Sequence, residues 1–259
     1  NTAPAIALAA HLAEGEDLMI VPSDHLINDL AHYEECITQA KKLSKSNKLI
    51  TFGLKPQYPE TGFGYIEANG NDVISFKEKP NLELAKKYVE AGNFFWNSGM
   101  FFFNSNFFLS ELATYQSEIA EKSLIAFKNA KVENSVHHIV KKDMENIPAD
   151  SIDYAVMEKS KSVNVVKANY EWADLGSFDS LYDVLPKQDN NNTADKNHIQ
   201  INSKNNLIIS DKKIITTFDI EDLIIVDTKD ALLIGKKGES QKVKELLQIV
   251  KSKHPELLE

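Results

Sequence analysis

A single cysteine, Cys36, stands in a chain of 259 residues. No internal disulfide can form, and the cytosol is the natural compartment for such a chain. Long apolar runs are also missing. None approaches the roughly 18 residues of a membrane-spanning helix, and the N-terminal residues lack the basic-then-apolar order of a secretion signal. Basic charge is in deficit: Lys and Arg together number 29 against 38 Asp and Glu, a net charge of -9. With no basic stripe and no interleaving of basic and aromatic residues, a nucleic acid is not an expected partner, and neither is a membrane. A phosphorylated small molecule stays compatible, because a few local lysines and a metal ion can hold one in an acidic protein. What is present is an ordinary globular composition, 42% hydrophobic and 26% charged, long enough for one large core or a core with a satellite.

An apolar helix opens the chain over Ala5 to Leu12. Leu18–Val21, closed by Pro22, reads as a short buried strand. Asn28 or Asp29 can cap a helix whose apolar positions Leu30, Tyr33, Ile37, Ala40 and Leu43 recur by threes and fours. Lys48–Leu54 is the next strand. Strand, amphipathic helix and strand form a βαβ unit, which implies neighbouring parallel strands with helices covering the faces. Further strands are expected through Val73–Phe76, Met100–Phe103 and Val163–Val166. Helices are expected from Pro80 or Asn81 through Tyr88 and over Phe107–Phe127. The texture changes after Leu185: residues 187–197 are polar and read as a solvent loop or boundary. Short β-rich pieces follow up to Ile234, suggesting a small all-β module or a coil of short strands, and a last helix spans Gln241–Val250. The division expected is residues 1–186 and residues 187–259.

Several stretches carry chemistry. Asp24, in Pro22-Ser23-Asp24-His25, follows a strand, where ligands of open α/β sheets gather. Its carboxylate can hold Mg²⁺ against phosphate oxygens or cap a turn; His25 reads as structural. Gly62 and Gly64 flank Phe63, which allows close approach of a ligand to the backbone or a tight turn. Glu78-Lys79-Pro80 ends a strand: the carboxylate can grip sugar hydroxyls and the ammonium can meet a phosphate, or both can be a solvated strand end. Asn97, in Trp96-Asn97-Ser98-Gly99, can hydrogen-bond a ligand in both directions, or belong to a turn in an apolar cluster. Asp174, between Trp172 and Gly176, can cap the next helix or join Asp24 on one cation. His137-His138 falls in a charged segment that reads as helical and lacks a third ligand for zinc.

Together these words resemble the bacterial mannose-1-phosphate guanylyltransferases of the sugar nucleotidyltransferase superfamily. The match also includes Asn1-Thr2-Ala3-Pro4-Ala5, Thr51-Phe52-Gly53, Glu60 to Glu67, Ser151 to Lys159 and Trp172 to Ser177. It implies a partial Rossmann-like nucleotidyltransferase: a mixed, mostly parallel sheet with helices on both faces, then a small β-rich C-terminal region. It implies transfer of GMP from GTP to α-D-mannose 1-phosphate, giving GDP-mannose and diphosphate. By the same resemblance Asp24 and Asp174 look like Mg²⁺ ligands, Gly62, Glu78 and Asn97 like sugar contacts, and Lys79 like the sugar-phosphate partner; Asp24, Lys79 and Asp174 form the catalytic set. Asp153 lies in a strong motif but receives no role. Family members begin with a strand and a glycine-rich, arginine-containing loop that binds the nucleotide, which would precede Asn1. The chain is therefore expected to be an incomplete catalytic unit, and the partners expected are a further copy in a homo-oligomer or a complementary N-terminal polypeptide. The alternative is a non-catalytic sugar-phosphate-binding or assembly subunit. Longer members continue into a cupin-type isomerase domain near His254–Glu259, so isomerase activity is not expected.

Overall fold

The structure is a computed structural model that describes residues 1–193 and 198–258. Its helices are α1 (Thr2–Leu12), α2 (Leu30–Ser44), α3 (Leu82–Ala91), α4 (Ser105–Tyr115), α5 (Ser117–Lys128), α6 (Lys141–Asn146), α7 (Phe178–Val184) and α8 (Lys242–Lys253). Its strands are β1 (Asp17–Ile20), β2 (His25–Ile27), β3 (Leu49–Leu54), β4 (Tyr65–Asn69), β5 (Asp72–Lys77), β6 (Phe94–Asn104), β7 (Lys131–Glu133) and β8 (Val136–His138). They continue with β9 (Val163–Ala168), β10 (Trp172–Asp174), β11 (His198–Ile201), β12 (Leu207–Ser210), β13 (Ile215–Phe218), β14 (Leu223–Asp227) and β15 (Leu232–Lys236). The elements fall into two compact units. One comprises residues 1–23 and 28–171; the other comprises residues 24–27 and the described residues from Trp172 onward.

The first unit holds the main sheet, in the order β1-β6-β3-β9-β5-β4, and β4 pairs again with β6, closing the strands into a barrel. Only β3 and β9 run parallel; the other pairings are antiparallel. The mostly parallel, Rossmann-like sheet expected from the sequence is therefore wrong. The physical cause is β6. Its 11 residues are long enough to serve β1 near one end, with Ile20 opposite Phe101, and β4 near the other, with Tyr65 opposite Trp96. β1 and β3 both run antiparallel to β6, so they share a direction as a βαβ unit requires, but β6 is inserted between them. The insertion is driven by burial: Phe101, Phe102 and Phe103 are all buried, as suits a strand covered on both faces.

The helices of this unit follow the apolar spacing. α2 begins at Asp29, whose carboxylate accepts the His32 N–H at 3.2 Å, and packs on β3, β6 and β9. α1 lays Ala3, Ile6, Ala7 and Ala10 into a core with Phe103, Phe108, Leu112 and Ile119. The segment containing His137 and His138 is not helical: they lie in β8, in a hairpin with β7. Its turn residues Asn134 and Ser135 both take positive φ, 50° and 66°, the conformation that matches hairpin twist.

In the second unit β2 and β10 form a two-stranded antiparallel ribbon. α7 follows it, opened by a reciprocal Ser177–Ser180 capping box. Beyond it the chain winds as a coil. β11 pairs in parallel with β13, β12 with β14, and β15 returns antiparallel on β14. The coil of short strands read from the sequence is present. Its interior is apolar at Leu207, Ile224 and Val226 under Tyr182, and polar at one corner. There Asn192 Oδ1 accepts the Asn206 N–H at 2.9 Å, and Asn206 Oδ1 accepts the Leu223 N–H at 2.8 Å. Among the described residues, no helix is long and apolar enough to cross a membrane.

Candidate functional site

In the first unit, β5 ends at Lys77 and the chain turns away through Glu78 and Lys79. Lys79 takes φ 46°, a left-handed conformation that costs a β-carbon-bearing residue about 1–2 kcal/mol and bends the strand end. The bend lets two successive side chains meet, with Lys79 Nζ 3.3 Å from Glu78 Oε1. Glu78 is only 11% exposed at its side chain, whereas Lys79 is 62% exposed, so the carboxylate is held in the wall and the ammonium reaches solvent.

Asn97 sits inside β6, which runs through the segment that could have been a turn. Thr51 lies opposite Phe101 and Gly53 opposite Asn97, so β6 bulges between them at Gly99, whose φ is 70°. A bulge re-aims a side chain without ending the strand. Here it brings the Asn97 amide to Thr51, whose hydroxyl donates to Asn97 Oδ1 at 3.0 Å. The Gly99 N–H donates to the same oxygen at 3.2 Å, and Asn97 Nδ2 donates to Asp153 Oδ1 at 3.0 Å. Gly64 joins the two parts: its carbonyl accepts the Asn97 N–H at 2.8 Å. A β-carbon on it would lie 2.5 Å from Glu78 Oε2 and 3.4 Å from Asn97 Cβ.

The structure thus gathers Glu78, Lys79 and Asn97, and adds Asp153, Glu158 and Gly64. Glu158 Oε1 accepts the Glu78 N–H at 3.2 Å. Asp153 and Glu158 stand at the ends of a π-helical turn, Asp153–Met157, a wide turn often found at functional sites. Burial raises the Asp153 carboxyl above its ordinary range, against the pull of its hydrogen bonds and of Lys79. Burial, then the Asp153 charge, raises Glu78 as well, with Lys79 pulling it back. Gly62 takes part less directly: its N–H donates to Glu60 Oε1 at 2.7 Å in the loop before β4. Phe63 and Tyr58 from that loop meet Trp96 edge-on, at 5.4 and 5.0 Å between centroids.

Asp24 and Asp174 belong to the second unit. His25 pairs with Asp174 across β2 and β10, and the Asp24 carbonyl accepts the Leu175 N–H at 2.9 Å, so the two carboxylates leave adjacent backbones. Asp174 does not cap α7; Ser177 does. Asp174 Oδ1 instead accepts the Gly176 N–H at 2.7 Å, leaving Oδ2 for another partner. His25, read from the sequence as structural, accepts the Trp172 indole N–H on its Nδ1 at 3.1 Å. Burial lowers its pKa, while Asp174 and Asp24 pull the other way. Two carboxylates are hard oxygen donors of the kind Mg²⁺ takes, one or two at a time with phosphates and waters completing the shell. Among the described residues no group of three or more His, Cys, Asp or Glu gathers that could hold a metal ion.

Asp153 was the residue whose partnership could not be read from the sequence, because its partner lies 56 positions away. The Asn-Ser-Gly step inside an aromatic strand was an available signal, since a glycine within a strand marks a bulge.

A sheet of this topology with a polar cluster at its bulge, followed by a parallel coil, defines a class. The chain belongs to the nucleotidyl transferase family, whose model matches residues 1–191; residues 196–250 match the MannoseP isomerase/GMP-like beta-helix domain. It is 39% identical to the xanthan biosynthesis protein XanB of Xanthomonas campestris pv. campestris over 97% of this chain and 56% of the relative. It is 38% identical to a mannose-1-phosphate guanylyltransferase of Salmonella muenchen, with the same coverage of 97% and 56%. The chain therefore spans about half the length of the curated relatives it matches. Its fold superposes with a TM-score of 0.86 on a Thermus thermophilus structure described as a mannose-1-phosphate geranyltransferase, at 24% identity over 97% of this chain and 75% of the other.

Proposed function

We propose that the complete protein of which this chain is a part is a mannose-1-phosphate guanylyltransferase acting in the cytosol. An oxygen of the sugar phosphate attacks the α-phosphorus of GTP, the bond to the β-phosphate oxygen breaks, and GDP-mannose and diphosphate leave. The observation that carries this reading is the cluster around Gly64: a half-buried carboxylate and a held amide for hydroxyls, with an ammonium beside them for a phosphate. Glu78 accepts a hydrogen bond from a sugar hydroxyl, Asn97 contacts a second position, and the Gly62 loop closes against the sugar. Lys79 neutralises part of the phosphate charge and orients its oxygen. The chain contains no arginine, so phosphate recognition by its own residues rests on lysine, a mobile point charge rather than a bidentate fork. Holding nucleophile and electrophile in one geometry removes much of the entropic barrier.

Asp24 and Asp174 would hold Mg²⁺, which supplies charge neutralisation at the phosphates when bound. The curated relatives that carry the guanylyltransferase name support this substrate pair. The complete protein should convert GTP and mannose 1-phosphate with Mg²⁺ to equal amounts of diphosphate and GDP-mannose, identified by mass. No product, or a tenfold preference for another nucleotide or hexose phosphate, would overturn the assignment.

A further inference from the structure

An asparagine amide offers a ligand two acceptor lone pairs at one end and two N–H donors at the other. Asn97 has lost most of that freedom. Its oxygen faces a fixed donor, the Gly99 N–H, and also takes the Thr51 hydroxyl. Thr51 is fully buried, so its side chain has little room to turn away. The Gly99 N–H could not face the amide nitrogen, which has no lone pair to offer, and the Thr51 hydroxyl, donor and acceptor both, adapts to the oxygen that the Gly99 N–H selects. At the other end one Nδ2 hydrogen is committed to Asp153 Oδ1. What remains for a ligand is the second Nδ2 hydrogen, so Asn97 becomes a donor only. Beside it, across Gly64, Glu78 is an acceptor. The π-helical turn that carries Asp153 also supplies Glu158 to the Glu78 N–H, so one segment braces both.

We infer that Asp153 is a positioning residue: by holding one Nδ2 hydrogen of Asn97, whose oxygen already faces the Gly99 N–H, it aims the remaining N–H donor into the site beside the Glu78 acceptor. This inference rests on the reading of Glu78 and Asn97 as sugar contacts. The pair matches hydroxyl groups, each of which can accept from Asn97 while donating to Glu78. It selects for a sugar that carries hydroxyls at the contacted positions and against an analogue with an apolar substituent there, because the site's own polar groups would be left unpaired.

The test is a double-mutant cycle in the complete protein, reading KM for mannose 1-phosphate, kcat and the melting temperature. Asn97→Ala should raise KM about tenfold or more. Asp153→Ala should do the same with a smaller effect on kcat, and Asp153→Asn should recover most of the loss, since its amide oxygen can still accept the Asn97 N–H. The double variant N97A/D153A should be no worse than N97A alone within about twofold, because Asp153 then has nothing left to orient. If D153A melts below the assay temperature, Asp153→Glu displaces the carboxylate by one methylene and should give the same KM increase. Additive losses in the double variant, or an unchanged KM in both D153A and D153E, would overturn the positioning role. An unchanged KM in N97A would instead overturn the sugar-contact reading, and the inference with it.

Discussion

A methyl group at position 64 would sit 2.5 Å from Glu78 Oε2, closer than any stable contact. The far end of a flexible side chain can move, so Gly64→Ala should leave the melting temperature within a few degrees while pushing the Glu78 carboxylate out of place. The expected result is a KM for mannose 1-phosphate raised about tenfold; a wild-type KM would mean that Glu78 does not contact substrate. Lys79 shows the opposite trade. Its left-handed backbone strains a residue that has a β-carbon, and such strain is tolerated where function gains from it. Lys79→Gly should keep or slightly raise folding stability, by about 1 kcal/mol at most, and should lose most of the affinity for sugar phosphate. A less stable K79G with intact affinity would contradict both halves. The raised carboxyls have a defined sign. Glu78 and Asp153 hold protons more tightly folded than unfolded, so stability falls as pH rises from the ordinary carboxylate range through their elevated values. Below that range neither group costs anything. Asp153→Asn removes one ionisation and should flatten this decline in denaturant titrations across pH; an equally steep decline would count against a raised Asp153.

Among the elements, β6 decides most. Phe103 is fully buried and stacks on Phe108 with centroids 4.7 Å apart. Phe103→Ala should cost about 3–5 kcal/mol in urea unfolding, and a loss under 1 kcal/mol would place the core elsewhere. The same strand explains why the sheet was misread. Apolar runs and the period of α2 identified strands and helices, because burial and periodicity are local. Which strands pair is not local: an 11-residue strand arriving 40 positions after β3 separated two segments that a βαβ reading makes neighbours. In the second unit the polar corner of the coil misled in another way. Asn192, inside the stretch read as a solvent loop or boundary, is 1% exposed. A buried asparagine is tolerable only because its amide satisfies backbone groups from the next turn of the coil, and a single stretch of sequence does not reveal that turn. Asn206→Ala would orphan the Leu223 N–H, while the backbone N–H at position 206 still donates to Asn192 Oδ1, at a cost of about 1–3 kcal/mol. Equilibrium unfolding followed by a probe in the coil should register that loss, and an unchanged midpoint would refute the role of the Asn206–Leu223 hydrogen bond.

On the scale of the whole molecule, the letters of the candidate site could be read from the sequence, but their hydrogen bonding could not. Glu78 and Lys79 share one motif and Asn97 stands in another, and only the bulge in β6 and the turn at Asp153 bring them into one cluster. The acidic balance of the chain, -9 overall, makes that cluster's single solvent-reaching ammonium matter for a phosphorylated ligand, since the surrounding field repels anions. The central claim is that this cluster is the sugar-phosphate site of a guanylyl transfer. Its most direct test is kcat/KM for mannose 1-phosphate in the complete protein carrying Glu78→Gln, measured at saturating GTP and Mg²⁺ beside the wild type. The charge is lost while the shape is kept, so the account predicts a fall of about 10- to 100-fold with an unchanged KM for GTP. A kcat/KM within twofold of wild type, or a loss appearing only in the GTP dependence, would contradict it.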